Sequence, residues 1–186
     1  MLADYIKENY GIHLKDEKQS MLAGRLQNVL IGKGFSSFSE YYKYVISDKT
    51  EEAAVSLINK VSTNHTYFMR EEEHFRYFRG GVLPELTGRV RDKDLRIWSA
   101  GCSSGEEAYT LAMIIDEFFG KEKLFWDTKI LATDISSRVL EEAKKGVYSN
   151  DELAVLPSSW RLSYFTAFDK ESSIISDRIK NEVIFR

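Results

Sequence analysis

Residues 95–115 read LRIWSAGCSSGEEAYTLAMII. The stretch opens as a short apolar strand, Leu95 to Ala100, passes through small residues, and continues as a helix from Glu106 to Phe119. Beyond it, KILATDIS supplies a second strand, Lys129 to Thr133, and a second helix follows from Ser136 to Lys145. Strands alternating with helices predict a parallel sheet with right-handed crossovers, so residues 93–186 read as an α/β domain of the Rossmann type. The closing SSIISDRIKNEVIFR adds an apolar strand pattern, read as a small β subdomain near 172–186.

Upstream the pattern changes. Residues 1–60 have almost no strand signal, and their apolar positions recur at helical spacing: Leu22, Leu26, Val29 and Leu30 on one face, Phe38, Tyr41, Tyr42 and Val45 on another. GKGF breaks the chain after Ile31, SFSE from Ser37 to Glu40 reads as a capping box, and Thr50 before two glutamates offers a further helix start. An all-helical module therefore comes first, and residues 61–92 read as a linker with one amphipathic helix.

The 186 residues are 43% apolar, enough for a real core, and carry 26 basic and 29 acidic side chains for a net charge of −3. That balance argues against nucleic acid as a partner. One cysteine, Cys102, excludes an internal disulfide framework, and three scattered histidines give no metal-ligand set. No apolar run approaches the roughly 18 residues that span a bilayer, and acidic residues at Asp4 and Glu8 disfavour a signal peptide, so the expected location is cytoplasmic without membrane insertion.

In a doubly wound sheet the ligand lies beyond the carboxyl ends of the strands. Every residue from Ser99 to Gly105 is small, and Gly101 and Gly105 allow a ligand close to the backbone. The loop is neither G-x-G-x-x-G nor a P-loop; it places Glu106 and Glu107 where a phosphate would otherwise bind. A nucleoside without phosphate but with a positive centre fits better, and S-adenosyl-L-methionine is such a molecule. Asp134, at the tip of the second strand, is suited to accept both ribose hydroxyls, although it equally suits the cap of the next helix. Cys102 reads as a small apolar filler.

Three spaced stretches in this order, STNHTYFMREEEHF, RIWSAGCSSGEEAYTLAM and ILATDIS, behind a helical N-terminus, resemble the CheR-type chemotaxis receptor methyltransferases. The similarity also covers RLQNVLIGKGFSSFSEYYKYV and the later GVYS, LP, W and YF positions. The resemblance implies methyl transfer from S-adenosyl-L-methionine to glutamate carboxylates on chemoreceptor cytoplasmic helices, leaving S-adenosyl-L-homocysteine. It further implies that Asn64, Thr66 and Arg70 line the cofactor site, that Glu107 contacts the cofactor, that Asp134 holds the ribose, and that Arg70 steers the substrate carboxylate. Read from spacing alone, Asn64 and Thr66 equally suit helix caps, and Arg70 an ion pair with the glutamates that follow it. Lys18 and Arg25, seven residues apart on one helix face, are the candidates for meeting an acidic receptor helix, or simply a solvated face. A non-catalytic interaction module is the rival reading.

The second domain shows fewer strands than an open α/β sheet usually carries, and the sequence stops within an apolar strand pattern. The expectation is a C-terminally truncated enzyme with a weakened cofactor site. An exposed edge on the strand Leu95 to Ala100 would then favour a dimer or a domain swap.

Overall fold

The structure, a computed structural model, describes residues 1–186, with the side chains of Asp16 and Gln19 outside the description. The chain forms two compact units, Met1–Thr63 and Asn64–Arg186. The first holds four helices, α1 (Leu2–Tyr10), α2 (Asp16–Lys33), α3 (Phe38–Ser47) and α4 (Glu52–Val61). The apolar face expected on α2 is the buried one: Leu22, Leu26 and Leu30 meet Ile6, Tyr41, Val45, Leu57 and Ile58 in a single core.

The helix starts differ in detail from their sequence signatures. Ser37 Oγ accepts the Glu40 amide as a cap should, but the Glu40 carboxylate reaches back to the amide and hydroxyl of Ser36, one residue earlier than the box predicts. At α4 the Thr50 hydroxyl accepts the Glu52 amide at 3.4 Å, and Asp48 adds a second and shorter tie. Its carboxylate accepts from the Thr50 amide and hydroxyl and, at 2.8 Å, from the Ala53 amide. A carboxylate accepts at both oxygens, so Asp48 can hold Thr50 and the first turn of the helix at once.

In the second unit come α5 (Glu72–Tyr77), a π-helical turn (Phe78–Val82) and α6 (Leu83–Arg89), then β1 (Ile97–Ala100), α7 (Glu106–Phe119), β2 (Ile130–Thr133), α8 (Ser137–Lys145) and β3 (Val147–Ser149). α9 (Asn150–Leu153), α10 (Ser158–Tyr164), β4 (Phe165–Ala167), β5 (Ser172–Ile175), α11 (Asp177–Lys180) and β6 (Val183–Phe185) follow, and a 3-10 helix (Gly120–Phe125) comes directly after α7. The stretch read as a linker belongs to this unit from Asn64 onward, because Phe68, Phe75 and Leu83 are buried in its core.

The main sheet is parallel in the order β1-β2-β6, with Ile97 opposite Ile130 and Ile130 opposite Val183. A second, antiparallel sheet has the order β3-β5-β4. The β subdomain is thus built from residues 147–175, and the expectation of 172–186 is corrected: β5 joins it, while β6 extends the main sheet. Three apolar residues such as Val183 to Phe185 carry no periodicity that would assign them to either sheet.

α7 is buried nearly all round, with Ala108, Tyr109, Ala112, Met113 and Ile115 inaccessible, and it carries a charge in that setting. Asp116, only 2% exposed, accepts hydrogen bonds from Tyr164 Oη at 3.1 Å, Lys123 Nζ at 3.2 Å and the Arg178 guanidinium, which ties α7 to α10 and α11. On one face of the main sheet Trp98, Leu131 and Ile184 are neighbours in register and exposed, and β1 is an outer strand. Among the described residues no helix is long and apolar enough to cross a membrane.

Candidate functional site

The loop between β1 and α7 is held to β2 by main-chain bonds. Gly101 N and Cys102 N both donate to Thr133 O, at 2.8 and 2.9 Å, and Gly105 N closes the turn on Cys102 O. Positive φ occurs at Gly101 (76°), Ser103 (49°) and Gly105 (99°), so two of the three left-handed positions fall on the glycines singled out from sequence. Tyr148 of β3 clamps the loop from the other sheet by donating its hydroxyl to Ser104 O at 2.7 Å.

Asp134 follows β2 directly. Its Oδ2 accepts the Ser103 amide and its Oδ1 the Ser136 amide, both at 2.9 Å. Of the two readings of this residue the structure shows the local one: one oxygen holds the amide at the start of α8, and the other ties Asp134 to the small-residue loop. Each oxygen engages one N–H, and a carboxylate has about four acceptor sites, so capacity remains for further donors.

The two glutamates at the start of α7 part company. Glu107 is exposed, and its Oε1 accepts the hydroxyl of the buried Ser99 at 2.6 Å. Glu106 is 3% exposed; its Oε1 accepts from Ser104 Oγ, and its Oε2 has no hydrogen-bond partner. Burial pushes the Glu106 carboxyl above the ordinary carboxylate range. The pair expected to face a ligand together is thus split between solvent and interior, as adjacent positions on a helix point in different directions.

The segment from Ser62 to Arg70 is irregular, and neither Asn64 nor Thr66 caps a helix; α5 starts after Glu71. Asn64 O accepts the Ser103 hydroxyl at 3.1 Å, which brings Asn64 to the loop, and its Nδ2 is buried without a partner. Thr66 is half-buried in the same segment. Arg70 is exposed and donates Nη1 to His65 O at 2.8 Å. It forms no ion pair with the glutamates after it; Glu72 and Glu73 pair with Arg76 instead. No described contact joins Arg70 to Glu107 or Asp134.

Cys102 is buried, and burial together with the nearby Asp134 charge pushes its thiol up to about 12, so it stays protonated at neutral pH and is no nucleophile. In the helical unit Lys18 is exposed, but Arg25 is recruited internally: its Nη1 donates to Val61 O, Ser62 O and Thr63 Oγ1 at 3.2 to 3.4 Å, covering the end of α4. The two cations seen on one face from spacing are therefore not equally free. Sequence reasoning passed over Ser99, Ser103 and Tyr148 as individual site residues; only the run of small residues and the GVYS similarity pointed toward them.

Two findings bear on a cofactor of the kind expected. The acceptors at the strand tips are carboxylates, suited to hydroxyl and ammonium groups, and a buried amide donor at Asn64 stands unpartnered beside the loop. No lysine or arginine occurs from Ser99 to Thr110, where a phosphate-binding loop would carry one. These residues fit S-adenosyl-L-methionine.

Comparison with known proteins agrees with this geometry. The CheR methyltransferase all-alpha domain matches residues 1–62, and the CheR methyltransferase SAM binding domain matches residues 64–186. A chemotaxis protein methyltransferase of Borreliella burgdorferi is 38% identical over 188 aligned residues, covering 100% of this chain and 66% of that protein. A probable chemotaxis protein methyltransferase of Rhizobium etli is 33% identical, covering 97% of this chain and 68% of the relative. The chemotaxis protein methyltransferase of Escherichia coli is 34% identical, covering 88% of this chain and 54% of the relative. The chain thus spans between about half and two thirds of the length of these relatives, and it belongs to the CheR methyltransferase family.

Proposed function

We propose that the protein takes part in methyl transfer from S-adenosyl-L-methionine to glutamate side chains of chemoreceptors, in the cytoplasm where such helices lie. The observation that carries the reading is the fixing of two carboxylates at the carboxyl ends of parallel strands, Glu107 by Ser99 of β1 and Asp134 by the Ser103 amide of the small-residue loop. Bound there, S-adenosyl-L-methionine supplies an activated methyl group on a sulfonium.

What the chain must add is orientation. A receptor glutamate with a pKa of about 4.3 is already ionised at neutral pH, so its attack on the methyl carbon needs no general base. The bound cofactor would supply a methyl group to a carboxylate oxygen with its carbon–sulfur electron pair left on sulfur, so that a methyl ester and S-adenosyl-L-homocysteine would result. In this scheme Asp134 accepts from the ribose hydroxyls, Glu107 holds the ammonium, and Asn64, Thr66 and Gly101 border the site. The Arg70 fork, with only Nη1 committed to His65 O, has donors left to align the incoming carboxylate. Of the two candidate cations, exposed Lys18 is the one left to meet an acidic receptor helix. The dimer expected through β1 rests on a free edge alone and forms no part of this reading.

Calorimetric titration with S-adenosyl-L-methionine and S-adenosyl-L-homocysteine tests the cofactor assignment. Saturable binding that Asp134→Ala abolishes is expected. Absence of heat from folded protein would remove the assignment. A receptor cytoplasmic fragment that gains a base-labile methyl ester would establish the acceptor as a carboxylate.

A further inference from the structure

The two carboxylates of the loop are held by different means. Asp134 is short, and two main-chain amides fix both its oxygens. Glu107 is long and exposed, and its fixed point is the Ser99 hydroxyl on Oε1. Ser99 lies in β1 and is 1% exposed, so it has no water to bond and its strand gives it no freedom to follow a moving partner. At 2.6 Å the contact falls in the short, charge-assisted range for a hydroxyl on a carboxylate. A hydroxyl carries one proton, and this one is committed to Glu107.

We infer that Ser99 is a positioning residue for Glu107: its hydroxyl pins Oε1 so that the glutamate presents its other oxygen to the cationic amino-acid end of the cofactor. The inference rests on the cofactor reading above. A glutamate on the exposed first turn of a helix otherwise samples several rotamers, and a ligand that uses it must bear the cost of ordering it. With Ser99 in place that ordering precedes binding.

A merely structural Ser99, satisfying a buried hydroxyl, and a positioning Ser99 differ in which part of the ligand responds. S-adenosyl-L-homocysteine carries the ammonium; methylthioadenosine keeps the nucleoside and the thioether but lacks the amino-acid end. In calorimetry, Ser99→Ala should weaken S-adenosyl-L-homocysteine about three- to tenfold, the cost of ordering one side chain, and change methylthioadenosine by less than about twofold. Ser99→Thr, which keeps the hydroxyl, should restore the first ligand, while Asp134→Ala should abolish binding of both. Equal losses for the two ligands in Ser99→Ala, or an unchanged S-adenosyl-L-homocysteine affinity, would overturn the inference while leaving the cofactor assignment intact. Native protein that binds neither ligand would overturn the assignment and the inference with it.

Discussion

Replacing Gly105 by alanine probes how tightly the loop is built. Gly105 sits at φ 99°, in the left-handed region, and a Cβ there would lie 3.0 Å from Ala143 Cβ, 3.1 Å from Tyr148 Oη and 3.2 Å from Tyr109 Cε2. These neighbours come from α8, β3 and α7, so no single side chain can yield. Both tyrosines are also fixed, Tyr148 by its bond to Ser104 O and Tyr109 by its bond to Ala143 O at 2.8 Å. Left-handed strain costs about 1–2 kcal/mol, and overpacking a filled site about 1–3 kcal/mol, so Gly105→Ala should lose roughly 2–5 kcal/mol. Gly101 is the control: at φ 76° it bears the same strain, but nothing lies within 4 Å of its Cβ. Gly101→Ala should therefore lose only about 1–2 kcal/mol. Urea denaturation followed by tryptophan fluorescence separates the two, because Trp98, Trp126 and Trp160 all belong to the second unit. If Gly105→Ala proves no more destabilising than Gly101→Ala, the packing around the loop is not what holds it.

The buried Glu106 should make stability depend on pH. Its folded pKa is raised by burial, so its contribution is complete below the ordinary value near 4.5 and is lost as pH rises through the higher folded value. Glu106→Gln, which keeps an acceptor for Ser104, should therefore gain stability relative to the native protein as pH is raised from acid to neutral; denaturation curves that stay parallel across that range would contradict it. Asp116→Ala should cost about 3 kcal/mol, near the low end for breaking a buried ion pair. The discount arises because Lys123 keeps Glu182 at 3.3 Å and Arg178 reaches solvent. A loss below about 1 kcal/mol in the same urea assay would place Asp116 among pairs of surface strength.

The sequence exposed those features that a local pattern can carry. The helix from Glu106 to Phe119 matches its predicted limits because a full helical period runs between two glycines, and β2 and α8 lie within a residue of expectation. Strand partners were hidden where strands are short: β3, β4 and β6 have three residues each, too few for alternation to show. Asp116 was invisible for a related reason, since an acidic residue at the end of an apolar helix looks like a solvated position until Tyr164 and Arg178 are brought to it from 48 and 62 residues away. The site divides along the same line. Asp134 and the small-residue loop were legible because position relative to a strand end defines them. The separation of Glu106 from Glu107 depends on what packs against each, and so does the role of Ser99.

The contacts of the loop are in keeping with the proposed reaction, which needs no proton transfer. Cys102, a conceivable nucleophile, is held protonated, and Glu106, a conceivable base, is buried and already bonded to Ser104. What the surroundings supply in abundance is fixity. Residues 101 to 105 are tied to Thr133, Asp134, Asn64 and Tyr148, and thus to β2, the 64–70 segment and the second sheet. For the methyl transfer proposed above, a weak carboxylate nucleophile would gain most from such an arrangement, because holding reactants at near-attack geometry is worth about 7–11 kcal/mol of barrier. Loosening any one tie should then reduce binding or turnover before it unfolds the domain, which is the order of effects that distinguishes a loop built for positioning from one built only for packing.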